Sequence, residues 1–132
     1  MIIIDGENAI FGRLCSYAAK QALSGEEVVV VNSDKVLISG NKKDIIKKYS
    51  ELRELGGHSK KGPKIPKVEY KMLKRGIRGM LPDHRKGQGR DAYKRVMCHN
   101  GVPKEFEGKE MIKIKRPIPS KYIELNDLVK KI

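Results

Sequence analysis

Two runs of β-branched residues, Ile2-Ile3-Ile4 and Val28-Val29-Val30-Val31, stand on either side of a stretch with helical spacing. Neither run alternates with polar residues, so each reads as a strand covered by apolar groups on both faces, the habit of parallel sheets. The first, Met1 to Ile4, ends in the turn pair Asp5-Gly6; the second ends at Asn32. Between them Asn8 is placed to cap a helix running to Leu23, in which Phe11, Leu14, Cys15, Ala18 and Ala22 recur at helical spacing and Gly25 supplies a left-handed stop. Strand, helix, strand confines the chain to a parallel pair with a right-handed crossover, and so to the α/β class.

The rest of the chain extends this plan. Val36 to Ile38 is a further short strand or extension, and Ser39-Gly40-Asn41 opens a second helix with Asp44 near the positive end of its dipole. Ile45, Ile46, Tyr49, Leu52 and Leu55 give that helix an apolar stripe, with Lys42, Lys43, Lys47 and Lys48 off it, and Gly56-Gly57 ends it. A helix from about Lys67 to Met80 is built on Tyr70, Leu73 and Ile77 and is broken by Pro82. The segment Arg85 to Arg90 (RKGQGR) reads as a glycine-rich loop, Asp91 to Arg95 as one helical turn, and Val96 to Cys98 as a last strand before the turn Asn100-Gly101. After Pro103 the alternation in MIKIK and the prolines at 117 and 119 suggest an extended surface segment, followed by a short helix near Asn126 to Lys131.

A chain of 132 residues without a repeat or a sharp composition break is expected to form one domain, and about 70% of its surface can be buried on folding. The absence of an apolar run of the roughly 18 residues that span a bilayer, and of a signal-peptide pattern after MIII, gives a cytoplasmic reading. Cys15 and Cys98 lie far apart with no CxxC pair, so no metal site is expected and both are read as reduced, buried thiols.

The charge is concentrated. Residues 55 to 95 hold thirteen Lys/Arg against three acids, whereas residues 1 to 54 hold eight of each and residues 96 to 132 hold eight and five. A surface of this kind repels itself when alone and is stabilised by a dense array of negative charge. The stretch divides into three parts. Gly56 to Pro66 carries His58, Lys60, Lys61 and Lys64 on backbone that glycine and proline keep out of regular structure, and is expected to stay extended until bound. The following helix presents Lys71, Lys74, Arg75 and Arg78 as a row. Arg85, Lys86, Arg90, Lys94 and Arg95 then surround Gly87 and Gly89, which permit close approach of backbone to phosphate. Solvated charged faces normally mix both signs, so the scarcity of acids here points to a polyanion.

Catalytic alternatives find little support in the residues. After the first strand the chain reads DGENAIFG, without GxGxxG, and GxxxxGK[ST] is absent, so no nucleotide cofactor is expected. His58 and His84 lie in basic surface stretches, and Cys98 and His99 would point to opposite faces of a strand, which is a poor dyad. Membrane attachment would need an aromatic or leucine-rich face opposite the basic one. DNA reading would need a helix-turn-helix, a basic zipper or a zinc finger, and the 5% aromatic content disfavours an RNA-recognition sheet or an OB-fold that stacks splayed bases. Backbone and shape recognition of folded RNA by positive elements remains.

The motifs themselves resemble a known family. Asp5, Gly12-Arg13-Leu14, Val31-Asn32, Ile38-Ser39-Gly40, His58-Ser59-Lys60-Lys61-Gly62-Pro63, Ile77-Arg78-Gly79-Met80-Leu81-Pro82, Gly87-Gln88 and Gly101-Val102-Pro103 follow in collinear order the pattern of large-subunit ribosomal protein L13, in its archaeal and eukaryotic branch. The resemblance implies a three-layer α/β/α domain over residues 1 to 132, with a small, mostly parallel sheet and basic extensions that enter large-subunit ribosomal RNA. It implies a structural role in subunit assembly without catalysis, beside neighbouring large-subunit proteins, with the family's basic stretches falling on Arg13, Lys60, Lys61, Arg75, Arg78, Arg85 and Lys86. Lys42 and Lys43 join the candidate RNA contacts from the second helix. The sequence departs from the family pattern at His99, where relatives place an aromatic residue. The other function considered is a free RNA-binding regulator of messenger RNA, which would stay soluble where a ribosomal component sediments with large subunits.

Overall fold

The computed structural model describes residues 1–55, 65–114 and 117–132. In chain order its elements are β1 (Ile2–Asp5), α1 (Phe11–Leu23), β2 (Val28–Val31), β3 (Leu37–Ser39), α2 (Lys42–Glu54), α3 (Glu69–Gly79), α4 (Gly87–Lys94), β4 (Val96–Cys98), β5 (Ile112–Lys113), β6 (Tyr122–Glu124) and α5 (Leu125–Lys131). The two β-branched runs pair in parallel, Ile2 against Val28 through Asp5 against Val31, with α1 as the crossover. β4 adds in parallel beside β2 and β5 in parallel beside β1, giving the sheet order β4-β2-β1-β5. β3 and β6 form a separate antiparallel pair, Ile38 against Ile123.

The α/β class expected from the sequence is the one observed, and successive residues of the continuous apolar strands do go to opposite faces. Ile4, Val28 and Val30 join a large cluster that takes in Leu14, Ala18, Leu73, Ile77, Ala92, Leu125 and Leu128 from the helices. Ile3, Val29 and Val31 face a smaller cluster closed by Phe106, with Val102 and Met111 at its margin. The layers are therefore unequal, since among the described residues no α-helical side chain belongs to the second cluster.

Several local expectations are corrected. Asn8 does not cap α1: it sits at φ 60 in the left-handed region, and the residue before the helix is Ile10, which makes no side-chain capping bond. The segment between β1 and α1 is committed instead to β3, because the Leu37 N–H donates to the Ala9 carbonyl at 2.8 Å and the Asn8 N–H to that of Lys35 at 3.3 Å. Asparagine tolerates the left-handed conformation this path requires. The expected stop at Gly25 is present at φ 102, and Asn41 does cap α2, its side chain accepting from the Lys43 N–H at 3.0 Å, a contribution of about 1 kcal/mol.

The glycine-rich stretch is not a loop: α4 begins at Gly87 and runs through Gly89. Gly89 is buried, and a Cβ there would overlap the carbonyl oxygens of Pro82 and Asp83. The backbone it lets approach is the protein's own. The MIKIK segment likewise does more than cover the surface, since Ile112 and Lys113 pair with Ile4 and Asp5. Of the segment Gly56 to Pro66, expected to be extended, residues 56–64 lie outside the described residues.

Both cysteines are buried, with Cys15 under α3, where its Sγ lies 3.8 Å from the Leu73 carbonyl. Burial pushes each thiol up to about 12, the proximity of Cys98 adding to the shift at Cys15 and Lys74 opposing it at Cys98.

Leu14→Ala is expected to cost about 2–5 kcal/mol in urea denaturation, because its site is fully enclosed. Gly89→Ala should cost about 1–3 kcal/mol through overpacking against carbonyls that have little room to move, and an unchanged midpoint would mean that α4 shifts freely on Pro82. A thiol raised in the folded state favours folding below its unfolded value of 9.0, and that contribution is lost as pH rises from there toward about 12. At pH 8 a thiol-specific disulfide reagent should therefore react with both cysteines in denaturant and with neither in the native protein.

Candidate nucleic-acid interface

α3 separates charge from core along its length. Met72, Leu73 and Ile77 are buried, while Lys71, Lys74, Arg75 and Arg78 fall on the opposite side at helical spacing. These four cations, with Pro66 and the Tyr93 ring of α4, line a groove of about 250 Å³. The Lys74 ammonium sits 4.9 Å from the centre of the Tyr93 ring, and His84 packs on the same ring at 5.9 Å, so one α4 aromatic steadies the α3 row.

Among the described residues, two acids of this region are engaged elsewhere. Glu69 accepts from Asn100 Nδ2 at 3.1 Å, and Asp83 accepts from the Arg85 N–H at 3.0 Å. Two ion pairs lie at the sheet, between the N-terminal amine and Glu26 and between Lys113 and Asp5, each at 3.8 Å. Lys71, Lys74, Arg78, Arg85, Lys86, Arg90 and Lys94 enter no ion pair with a described residue.

The remaining predicted contacts are distributed over the surface. Arg85, Lys86 and Arg90 are exposed around the start of α4, and Arg13 is exposed near the start of α1. Lys42 and Lys43 open α2 and share a depression of about 430 Å³ with Lys121 and Tyr122, two residues the sequence reading did not single out. Lys121 lacked the clustering that marked the other cations, and its place comes from the β3–β6 pairing. Lys94 and Arg95 turn away from the α3 groove and line a separate cleft of about 410 Å³ with Met97 and Phe106. Arg95 is half-buried, and its guanidinium donates to the Ala22 carbonyl at 3.0 Å, satisfying the last turn of α1. His58, Lys60, Lys61 and Lys64 lie outside the described residues.

Beside the α3 groove, and sharing Arg75 with it, is a cleft between α1, α2 and α3 lined by Phe11, Tyr49, Leu52, Ile65 and Met72. Burial pushes the Tyr49 phenol up; nearby Cys15 adds to the shift and Arg75 opposes it. His99 stands on β4's continuation with its ring 5.9 Å from that of Phe106. Among the described residues no His, Cys, Asp and Glu side chains gather as a metal site would require. No described helix is long and apolar enough to cross a membrane.

The family model for "Ribosomal protein L13" matches residues 1–105. The chain is similar to large ribosomal subunit protein uL13 of Methanocaldococcus jannaschii, at 46% identity over 98% of this chain and 96% of the relative. It is also similar to the proteins of the same description from Methanosarcina barkeri, at 44% over 100% and 97% of the two chains, and from Picrophilus torridus, at 43% over 98% and 95%.

Proposed function

The chain belongs to the ribosomal protein L13 family, whose members are proteins of the large ribosomal subunit rather than enzymes, and from that membership we propose how it works there. It binds large-subunit ribosomal RNA through phosphate and shape contacts and supports subunit assembly, located with the ribosome in the cytoplasm. The whole chain acts as one domain, in which the α/β core aims the basic elements at the RNA.

The observation that carries this reading is the α3 row: four cations along one groove, three of them without an ion-pair partner among the described residues. Such a row releases counterions when phosphates replace them. Its spacing is rigid because α3 is anchored from behind by Leu73 and Ile77. Arg85, Lys86 and Arg90 extend the positive surface around α4, and Lys42, Lys43 and Arg13 give further points of attachment to RNA. Lys94 is a peripheral contact at the other cleft. Arg95 contributes chiefly through its bond to Ala22, which holds α1 near the start of β4. His58, Lys60, Lys61 and Lys64 belong to the proposed interface on the strength of the sequence. Neighbouring large-subunit proteins are the other partners, and no cofactor takes part.

With six phosphates contacted, the logarithm of affinity for a large-subunit RNA fragment should fall with the logarithm of salt at a slope of about −4 to −5. Lys71→Ala, Arg85→Ala and Lys86→Ala should each reduce that slope by about 0.7–0.9 while leaving the unfolding midpoint in place. A slope near zero, or variants that unfold instead of losing affinity, would sink the reading.

A further inference from the structure

The α3 row accounts for phosphates, but it does not account for the cleft that opens on the other side of Arg75. That cleft has a volume of about 270 Å³ and is lined mainly by Phe11, Tyr49, Leu52, Ile65 and Met72, with Lys48 and Arg75 as its cations. Its size falls just below the roughly 300–1,000 Å³ of drug-sized ligand sites and suits one flat ring system. Aromatic side chains are scarce in this chain, with five Tyr, two Phe and no Trp. Three of them nevertheless gather here: Phe11 and Tyr49 in the cleft and Tyr93 in the adjoining groove.

The cleft is shaped by the backbone as well as by side chains. At Gly76 a Cβ would lie 2.6 Å from the Phe11 ring and 3.1 Å from Cys15 Sγ, so the ring rests directly on α3 where any larger residue would displace it. Across from it, α2 presents an apolar stripe that the core does not use up: Ile45 is buried, while Tyr49 and Leu52 are half-buried and face the cleft. An apolar slot with aromatic walls, bordered by lysine and arginine and continuous with a row of phosphate-binding cations, has the chemistry of a nucleotide site rather than of a peptide groove. Sequence-tolerant capture of single bases uses this combination of a π face and a cationic track.

We infer that the cleft is a base pocket, which receives one unpaired purine of the bound RNA against Phe11 and Tyr49 while the flanking phosphates follow Lys71, Lys74, Arg75 and Arg78. The inference rests on the RNA-binding reading above and deepens it. The protein then recognises a bulged nucleotide next to a helix, in addition to the helix backbone. Lys48, on the α2 rim, serves the phosphate on the far side of the extruded base.

The test uses the full chain and two RNA hairpins of the same stem, one carrying a single bulged 2-aminopurine and one fully paired. The bulged hairpin should bind on the order of tenfold more tightly, and its 2-aminopurine should become shielded from acrylamide quenching on binding. Tyr49→Leu, which keeps the apolar bulk and removes the ring, and Leu52→Trp, which fills the slot, should each erase the preference while leaving affinity for the paired hairpin unchanged. Thermal unfolding identifies either variant that has lost its fold, and the quenching measurement on the unaltered protein does not depend on them. Equal affinities for the two hairpins, or a bound 2-aminopurine that is still quenched, would overturn the base pocket and leave the phosphate row standing. Failure to bind either hairpin would overturn both.

Discussion

The carboxylate of Asp5 is buried at the end of β1, and the geometry of the sheet is organised around satisfying it. One oxygen accepts from Asn32 Nδ2 and from the Glu7 N–H, each at 3.0 Å, and the other faces the Lys113 ammonium at 3.8 Å. A buried carboxylate left without such partners would cost several kcal/mol. Meeting that requirement joins β1 to the residue after β2 and to β5, and the Asn32 N–H reaches on to the Gly101 carbonyl beyond β4. The carboxyl ends of β1, β2 and β5 thus meet at one side chain, and the segment after β4 is tied to them through the Asn32 backbone. Asn32 meets the geometry only by adopting φ 55, a conformation asparagine bears better than most residues.

From that fixed edge the chain leaves for α1, and α1 in turn sets α3, with Phe11 lying over Gly76 and Cys15 beneath Leu73. The net charge of +13 is therefore carried by a scaffold whose core owes nothing to it. A helix with one apolar and one uniformly positive face gains from burial on the first and pays in self-repulsion on the second. The Lys74–Tyr93 contact relieves a little of that repulsion, and a polyanion relieves far more.

Much of this was legible in the residues, for physical reasons that differ by element. Unbroken β-branched runs have few alternatives to doubly covered parallel strands, so β1 and β2 were readable to within a residue. The row on α3 was readable because helical spacing and charge sign coincide there. Asn8 was misread because its helix-capping chemistry and its tolerance of positive φ are properties of the same side chain, and the long-range bond from Leu37 to Ala9 decided between them. The glycines of α4 were misread because glycine marks both open loops and close backbone packing, and the contact that distinguishes these is with Pro82 and Asp83. The division of the cations was hidden altogether: Lys94 and Arg95 continue the basic run in sequence but line a different cleft. Neither Lys121 beside Lys42 nor Tyr49 beside Phe11 is a neighbour in sequence, so those sites exist only once the chain is folded.

The antiparallel pairing of β3 with β6 bears on how the molecule is made. The Val36 carbonyl must wait for the N–H of Leu125, and the Gly40 N–H for the carbonyl of Lys121, and the fully enclosed Leu128 completes the large cluster from α5. During synthesis, β1, α1 and β2 emerge long before those partners, and loop closure over such a separation is slow relative to local structure. The chain through α3 must therefore persist for a time with part of its apolar surface uncovered and with its basic helix not yet packed against α5. Such a species is prone to association. Acquisition of the native surface is thus coupled to the arrival of residues 122–131, which take no part in the α3 groove but determine when it becomes rigid.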